Sequence, residues 1–307
     1  MNETKRAIAL GFFDGVHIGH AALMNRTSQV AEQIGAMPSV LTFDVHPDTL
    51  VYGHEVLLLN DNAGRKDIIS RLFGIDDVIF IHFNKEIMHM PWKQFVDTIV
   101  QELNVGWIVV GHDFTFGDRG EGNAERLREY CDELGIGCDV IPAVTKDGIT
   151  VSSTYIRKLI ENGEMEKANE YLGHPHSLTD TVHTGFQLGT KMGTPTINMF
   201  FPRGVIIPRF GVYAAKVYLD DGSSHISVTN IGIRPTVSET KSVSVESYIL
   251  DFNENLYGRT VRVEFYKHLR DERKFSDFEE LSRQIRRDAE ETRRYFESTK
   301  KKERFDF

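Results

Sequence analysis

The chain changes its folding pattern at about residue 174. Before that point, short apolar runs alternate with longer segments in which apolar residues recur at helical spacing. The strand-like runs are 7–12, 39–45, 78–83, 107–111 and 138–143, and the helix-like segments between them are 19–34, 62–73, 92–103 and 123–134. This alternation predicts an α/β domain built on a parallel, doubly wound sheet, in which ligands bind at the carboxyl ends of the strands.

The second half of the chain has a different pattern. Two helical segments, one beginning after residues 152–154 and one over 164–172, lead to a predicted linker at 174–181. Strand-like runs then follow one another without helices between them, at 182–187, 211–219, 224–228, 242–250 and 260–268. Such a series predicts a small antiparallel β-barrel. A capping-box pattern at 276–279 predicts a C-terminal helix that packs on the barrel.

These patterns predict two domains, 1–173 and 182–307, joined by the linker at 174–181. The net charge of −9 argues against a broad nucleic-acid-binding surface. No apolar run approaches the roughly 20 residues that cross a bilayer, and the polar N-terminus does not resemble a signal peptide. Cys131 and Cys138 match no metal or redox spacing. We therefore expect a cytoplasmic protein that acts on small molecules, with no nucleic-acid or membrane partner, and the sequence indicates no particular protein partner.

The most distinctive motif lies directly after the first strand-like run. Residues 11–20 read Gly-Phe-Phe-Asp-Gly-Val-His-Ile-Gly-His. Glycines let the backbone approach a ligand closely, and a helix that begins near His17 presents free N–H groups to an anion. His17 and His20 are three positions apart, so both imidazoles lie on one side of the turn and can donate hydrogen bonds to phosphoryl oxygens. The motif predicts a polyphosphate-binding site.

This segment resembles the His-x-Gly-His signature of the nucleotidyltransferase superfamily, and in full it resembles the motif of the bacterial FAD synthetases. Three further segments resemble motifs of that family in the same order: 42–47, 110–117 and 151–157. The resemblance implies a Rossmann-like nucleotidyltransferase domain that transfers the adenylyl group of ATP. It implies His17, His20 and Arg157 as the residues that bind the triphosphate and stabilise the transition state.

The resemblance also implies two sets of binding residues in this domain. The predicted ATP-binding residues are Gly11, Phe12, Phe13, Asp14, Gly15, Gly19, Ser152, Ser153 and Thr154. The predicted flavin-binding residues are His46, Asp113, Phe114 and Phe116. Taken singly, several of these have a structural alternative: the serines as ordinary helix caps, Arg157 as a solvated helix residue, His46 as a residue that shapes a loop, and the phenylalanines as core.

The second half resembles riboflavin kinases. Residues 193–198 resemble the Gly-x-Pro-Thr-x-Asn element, in which Thr196 and Asn198 face the same way on an extended segment and supply hard oxygen ligands for Mg²⁺ with bound phosphates. The strand at 245–252 resembles the one that carries the catalytic glutamate, here Glu246, and Arg270 is predicted to approach the flavin or the nucleotide.

Three positions depart from the kinase pattern: Thr190 replaces an arginine, Thr194 a large apolar residue and Tyr248 a histidine. The resemblance nevertheless implies a bifunctional enzyme that uses ATP, riboflavin and FMN with Mg²⁺. Three alternatives stay open at this point. Only the adenylyl half could be active, the chain could be a flavin sensor or carrier without turnover, or the acceptor could be another phosphate or carboxylate compound.

Overall fold

The chain folds into two compact units that divide between Ser153 and Thr154. A computed structural model describes residues 4–184, 196–234 and 242–303. Within these described ranges, no helix is both long enough and apolar enough to cross a membrane.

The first unit is built on a five-stranded parallel sheet with the strand order β3-β2-β1-β4-β7. Its strands are β1 (Arg6–Leu10), β2 (Met37–Phe43), β3 (Asp77–Ile81), β4 (Val105–Gly111) and β7 (Gly137–Ile141). Two small hairpins follow β4 and β7, formed by β5 (Thr115–Phe116) with β6 (Gly122–Asn123) and by β8 (Thr145–Lys146) with β9 (Ile149–Thr150). The predicted doubly wound α/β sheet is confirmed.

Helices cover both faces of this sheet. They are α1 (Ile18–Ile34), α2 (Pro47–Tyr52), α3 (Asn62–Phe73), α4 (Lys85–Met88), α5 (Trp92–Glu102) and α6 (Ala124–Leu134). One apolar cluster contains Met24 of α1 and Ile69 of α3, and a second contains Ile99 of α5 and Leu127 of α6. The four long helices match the predicted ones to within one residue, whereas the short helices α2 and α4 were not predicted.

The order of the strands determines where a ligand can bind in this unit. From the central strand β1 the chain passes through α1 to β2 and then to β3, and it later crosses to β4 on the other side of β1. In parallel sheets of this kind, the crevice lies at the carboxyl ends of the strands where the direction of winding reverses. The residues that follow β1 and β4 therefore border the binding crevice.

The second unit contains a six-stranded antiparallel sheet, curled into a half-barrel, with the order β10-β15-β12-β13-β14-β11. Its strands are β10 (His176–Thr181), β11 (Thr196–Phe200), β12 (Gly211–Tyr218), β13 (Ser224–Arg234), β14 (Ser242–Ile249) and β15 (Thr260–Arg270). Among the described residues of this unit, two helices precede the sheet, α7 (Ser153–Asn162) and α8 (Met165–Leu172), and one follows it, α9 (Phe278–Glu303). This arrangement confirms the predicted antiparallel barrel-like domain with a C-terminal helix.

The segment predicted as a linker contains strand β10, which corrects that interpretation. Residues 176–181 pair with β15 along their whole length, with Leu178 opposite Val263. Leu178 is buried and the next residue, Thr179, is exposed, as expected for a strand at the edge of a sheet. The predicted strand at 182–187 lies partly outside the described residues, and within them His183 forms only an isolated bridge with Asn198.

The C-terminal helix α9 begins with a side-chain cap one residue later than the predicted capping box. The Glu280 amide donates to Asp277 Oδ1 at 2.8 Å, and the Ser276 amide donates to Glu280 Oε2 at 2.9 Å. Asp277 is therefore the N-cap, in place of Ser276. Farther along, Ala289 packs against the cluster that contains Val212 and Leu250, which fixes α9 on the sheet.

Candidate functional site

The turn between β1 and α1 has an unusual backbone. Residues 14–16 form a single 3₁₀ turn in which Gly15 has φ = 75°. Phe13 and Val16 also have positive φ values, 57° and 43°. A β-branched residue rarely adopts this conformation, which costs of order 1–3 kcal/mol and persists only where the surroundings enforce it. The motif that carries the two histidines is thus held in a strained shape.

Two hydrogen bonds from distant residues hold this turn. The buried carboxylate of Asp14 accepts a hydrogen bond from the Leu59 amide at 2.8 Å. The Asp14 carbonyl accepts another from Ser153 Oγ at 2.9 Å. The structure therefore brings Asp14 and Ser153 together, and the Ser153 hydroxyl is used to fix the turn.

His17 and His20 form a stacked pair. Their ring centroids are 3.6 Å apart and the planes differ by 12°. His17 is the N-cap of α1, and its Nδ1 accepts a hydrogen bond from the His20 amide at 3.3 Å. When the His17 ring is neutral, this bond assigns its proton to Nε2. A Cβ at Gly19 would lie 3.1 Å from both Cε1 and Nδ1 of His17, so the glycine leaves room for the ring.

His20 is held in its neutral form. Burial lowers its pKa well below 6.5, and the nearby charges of His17 and of Arg65, on α3, lower it further. Within the described part of the chain, Nδ1 of His20 is buried without a hydrogen-bond partner, and the edge of its ring contacts Phe13 at 5.3 Å between centroids. A buried polar atom without a partner in the protein marks a place where a ligand or water can bind.

Phe12 and His46 meet at the ends of β1 and β2. Their ring centroids are 4.5 Å apart in an edge-to-face arrangement. His46 is the N-cap of α2, and its Nδ1 accepts a hydrogen bond from the Asp48 amide at 3.2 Å. The Thr42 hydroxyl donates to the Phe12 carbonyl at 2.9 Å. The predicted ATP-binding and flavin-binding motifs thus meet at one edge of the sheet.

The aromatic residues that follow β4 occupy two environments. Phe116 is 9% exposed and packs with Phe95 in the core of the first unit, with ring centroids 5.7 Å apart. Phe114 stacks on Phe116 at 5.2 Å and is only partly buried, while Asp113 is exposed. The ring of Phe116 therefore faces the core, and Asp113 and Phe114 are the predicted flavin-binding residues of this segment that reach solvent.

Helix α7 carries the remaining residues predicted for adenylyl transfer. Ser152 precedes it directly, and Arg157 lies one turn inside it, where Nη1 donates to the Thr154 hydroxyl at 3.4 Å. Thr154 and Arg157 belong to the second unit, so their approach to the histidines stays a prediction.

The predicted kinase residues line up across three neighbouring strands. Asn198 of β11 lies opposite Glu246 of β14, which lies opposite Asn230 of β13. Residues directly opposite in antiparallel strands have Cβ atoms about 5 Å apart on one face of the sheet. Thr196 lies two positions from Asn198, opposite Tyr248, and shares that face. The sheet therefore brings together the two predicted metal ligands and the predicted catalytic base.

Glu272 adds a carboxylate to this face. Asn230 Nδ2 donates to Glu272 Oε1 at 3.1 Å, and a Cβ at Gly232 would lie 2.0 Å from the same oxygen. Asn230 and Glu272 lie in two segments, 230–236 and 269–275, that resemble the riboflavin kinases in sequence, and that resemblance gave neither residue a role. Residues 235 and 236 lie outside the described residues.

Arg270, predicted to approach the flavin or nucleotide, has a partner within the fold. Its Nε and Nη2 donate to the Asp288 carboxylate at 2.7–3.1 Å, and Asp288 is only 3% exposed. Gln284 Nε2 donates to the same carboxylate at 2.7 Å. Arg270 thus attaches the end of β15 to helix α9.

Thr196 and Asn198 fit the requirements of Mg²⁺ by the chemistry of their donors. A hydroxyl and an amide oxygen are hard ligands, and Mg²⁺ in nucleotide sites takes its other ligands from phosphates and water. Among the residues that the structure describes, no group of three or more histidine, cysteine, aspartate or glutamate side chains is arranged to bind a metal by itself. A site here therefore depends on the phosphates of the substrate.

Two protein-family models match the chain, one in each half. Residues 1–155 match the FAD synthetase model, and residues 172–296 match the riboflavin kinase model. The first match contains the histidine motif and the second contains the Asn198–Glu246–Asn230 row.

Relatives match the chain over nearly its full length. The bifunctional riboflavin kinase/FMN adenylyltransferase of Bacillus subtilis (strain 168) is 34% identical over 310 residues, which cover 97% of this chain and 95% of the relative. The protein of the same name from Escherichia coli (strain K12) is 32% identical over 295 residues and covers 95% and 93%. A crystal structure described as a macrolide-efflux protein from Streptococcus pneumoniae has a TM-score of 0.83 and 27% identity, with 94% of each chain covered. That description, including the efflux role, refers to the pneumococcal protein.

Proposed function

The chain belongs to the family of bifunctional riboflavin kinase/FMN adenylyltransferases, and from this premise we propose which of its residues carry each reaction. It phosphorylates riboflavin to FMN with ATP, and it transfers the adenylyl group of ATP to FMN, which gives FAD and pyrophosphate. Its substrates are therefore the small molecules ATP, riboflavin and FMN. We further propose that both steps use Mg²⁺ and take place in the cytoplasm.

In adenylyl transfer, the phosphate of FMN attacks the α-phosphorus of ATP and pyrophosphate leaves. The protein contributes positioning and stabilisation of the charge on the phosphoryl oxygens. His17 and His20 donate hydrogen bonds to these oxygens. The observation that carries this assignment is the stacked pair at 3.6 Å, in which His20 is kept neutral and its buried Nδ1 has no partner within the described residues.

The surrounding residues hold the two substrates. The turn formed by Gly11, Phe12, Phe13, Asp14 and Gly15, together with Gly19, brings the backbone close to the nucleotide phosphates. Ser152, Ser153 and Thr154 supply a second anion site at the start of α7, and Arg157 pairs with the leaving pyrophosphate through its planar fork of donors. His46, Asp113 and Phe114 contact the flavin, and Phe116 supports Phe114 from the core.

In the kinase reaction, the 5′-hydroxyl of riboflavin attacks the γ-phosphorus of ATP, the bond from that phosphorus to the β,γ-bridging oxygen breaks, and ADP leaves. Glu246 accepts the hydroxyl proton as general base. Thr196 and Asn198 hold Mg²⁺, which when bound neutralises charge on the phosphates. Arg270 keeps the segment after β15 in place through its ion pair with Asp288. Its guanidinium contacts the flavin or the nucleotide while it keeps this ion pair.

The first experiment is a chromatographic time course with the purified chain, riboflavin, ATP and Mg²⁺. We expect FMN to appear first and FAD to follow. The variants His20→Ala and Glu246→Ala serve as reciprocal controls. His20→Ala should abolish FAD formation from supplied FMN and keep FMN formation, and Glu246→Ala should do the reverse. Loss of both activities in either folded variant would contradict the assignment of two separate sites.

A further inference from the structure

Arg65 is a fully buried arginine close to the histidine motif. It lies in the first turn of α3 and is 0% exposed. Arginine is rarely buried to this extent, because removing its charge from water is costly unless its donors are satisfied. Its position at the carboxyl edge of the sheet therefore needs a reason beyond helix packing.

The hydrogen bonds of Arg65 connect three elements at that edge. Nη1 donates to the Phe12 carbonyl after β1 and, at 3.0 Å, to the Thr42 hydroxyl in β2. Nη2 donates to the Phe43 carbonyl at 2.8 Å and to Asn62 Oδ1. The guanidinium also lies over the Phe12 ring, 4.3 Å from its centroid. One side chain thus fixes the backbone that leads into the strained turn.

These acceptors are neutral, so the charge of Arg65 is not cancelled by a directly bonded carboxylate. Burial lowers the pKa of Arg65 to about 10, and the carboxylates of Asp14, Asp61 and Asp44 oppose this shift from farther away. The side chain is therefore cationic at neutral pH. The groups whose charge acts on His20 are His17, from the turn before α1, and Arg65, from α3.

We propose that Arg65 is a positioning residue of the adenylyl-transfer site, which holds the ends of β1 and β2 around the histidine motif and supplies a fixed positive charge beside His20. This inference rests on the proposed role of His17 and His20. A fixed cation at the base of the site attracts the polyphosphate and keeps the neighbouring imidazole in its neutral, hydrogen-bonding form.

The test compares Arg65→Met, which removes the charge and the donors, with Arg65→Lys, which keeps the charge and loses the planar fork. FAD formation from supplied FMN is measured as kcat/KM over a range of pH, because this quantity reports the ionisation of the free enzyme. Fluorescence of Trp92 and Trp107, which both lie in the first unit with Arg65, checks that each variant is folded. FMN formation from riboflavin, which takes place in the second unit, is the control for a general loss of activity in the preparation.

We expect Arg65→Met to lower kcat/KM for FAD formation about 100-fold, the size of effect that follows a misplacement of about 1 Å. Its acid limb should move to higher pH, because loss of the positive charge of Arg65 raises the pKa of the neighbouring His20. Arg65→Lys should lose activity about 10-fold and keep the wild-type acid limb. Kinase activity should be unchanged in both.

An unchanged acid limb in Arg65→Met, or equal loss of both activities in a folded variant, would overturn the inference. If Arg65→Met does not fold, the Arg65→Lys variant tests the proposal instead. Wild-type rates of FAD formation in Arg65→Lys would exclude the positioning role. A wild-type chain that forms no FAD from supplied FMN would contradict the proposed function itself, which separates the two failures.

Discussion

The buried environment of His176 predicts that the second unit loses unfolding free energy at acidic pH. The side chain is 1% exposed, and its ring stacks on Phe265 with centroids 6.1 Å apart. Its backbone amide donates to Asn169 Oδ1 at 2.8 Å, whereas both ring nitrogens are buried and have no hydrogen-bond partner within the described residues. Burial, and after it the charge of His174, lowers the pKa of His176 from 6.5 to about 3.

The sign and size of the effect follow from proton linkage. A histidine with a lower pKa in the folded state binds more protons when unfolded, so it destabilises the fold as pH falls from about 6.5 towards 3. At about 1.4 kcal/mol per pKa unit, the full difference corresponds to about 5 kcal/mol. About 2 kcal/mol of it should appear between pH 7 and pH 5.

The assay is urea denaturation of the full chain at pH 7 and pH 5, comparing wild type with His176→Leu. Far-UV circular dichroism follows both units, and fluorescence of the two tryptophans, Trp92 and Trp107, follows only the first unit. Between pH 7 and pH 5, wild type should lose about 2 kcal/mol more unfolding free energy than His176→Leu. His54→Leu, at an exposed histidine of the first unit, should behave as wild type. Equal losses in wild type and His176→Leu would refute the reasoning.

Two further predictions concern single contacts. Gly19→Ala should lower FAD formation several-fold, because its Cβ would lie 3.1 Å from the His17 ring, which must then move by a few tenths of an ångström. Kinase activity should be unchanged, and thermal stability should be unchanged or higher because alanine favours the helix. Steady-state kinetics of both reactions and a melting curve check this, and a variant with wild-type FAD formation would contradict it. Asp288→Ala should reduce unfolding free energy by about 3 kcal/mol because it removes the buried partner of Arg270. Chemical denaturation measures this loss, and a change below about 1 kcal/mol would show that the ion pair does not stabilise the fold.

The sequence was sufficient to predict the doubly wound sheet because its signals are local. Segments such as α3, predicted at 62–73 and found at Asn62–Phe73, combine a capping aspartate, helical spacing and a terminal glycine. The linker prediction at 174–181 was wrong over β10 because the run His174-Pro175-His176-Ser177 has the composition of a linker. Pairing with β15, about 80 to 90 residues away, makes 176–181 an edge strand, and such pairing leaves little local signal.

Side-chain environments were harder to predict than elements. The histidine motif is contiguous, so its residues meet as expected, and the alternation of β11 and β14 places Asn198 opposite Glu246. Arg65 is one of two arginines in α3, and nothing local distinguishes it from the exposed Arg71. Phe116 and Arg270 were assigned to the flavin by resemblance, while the fold gives them partners in the core and on α9.

Tyr248 shows how a departure from the kinase pattern is accommodated. It replaces a histidine that the family commonly has, and it packs in the cluster with Val228 and Ala289 between the sheet and α9. Its substitution thus changes packing two positions away from Glu246.

Strand β11 ends the sheet, and this position carries a risk of aggregation. An edge strand exposes unpaired amides and carbonyls on which a second chain can add its own strand. Here the Asn198 carbonyl accepts the His183 amide at 2.9 Å, and the Phe200 amide donates to Asp180 Oδ2 at 2.9 Å. A second molecule would need this carbonyl and this amide to pair with β11, and both already have a hydrogen-bond partner within the chain. The short crossing of 180–183 over β11 therefore keeps the strand that carries Thr196 and Asn198 from serving as a template for intermolecular β-sheet, and it protects the solubility of the chain at high concentration.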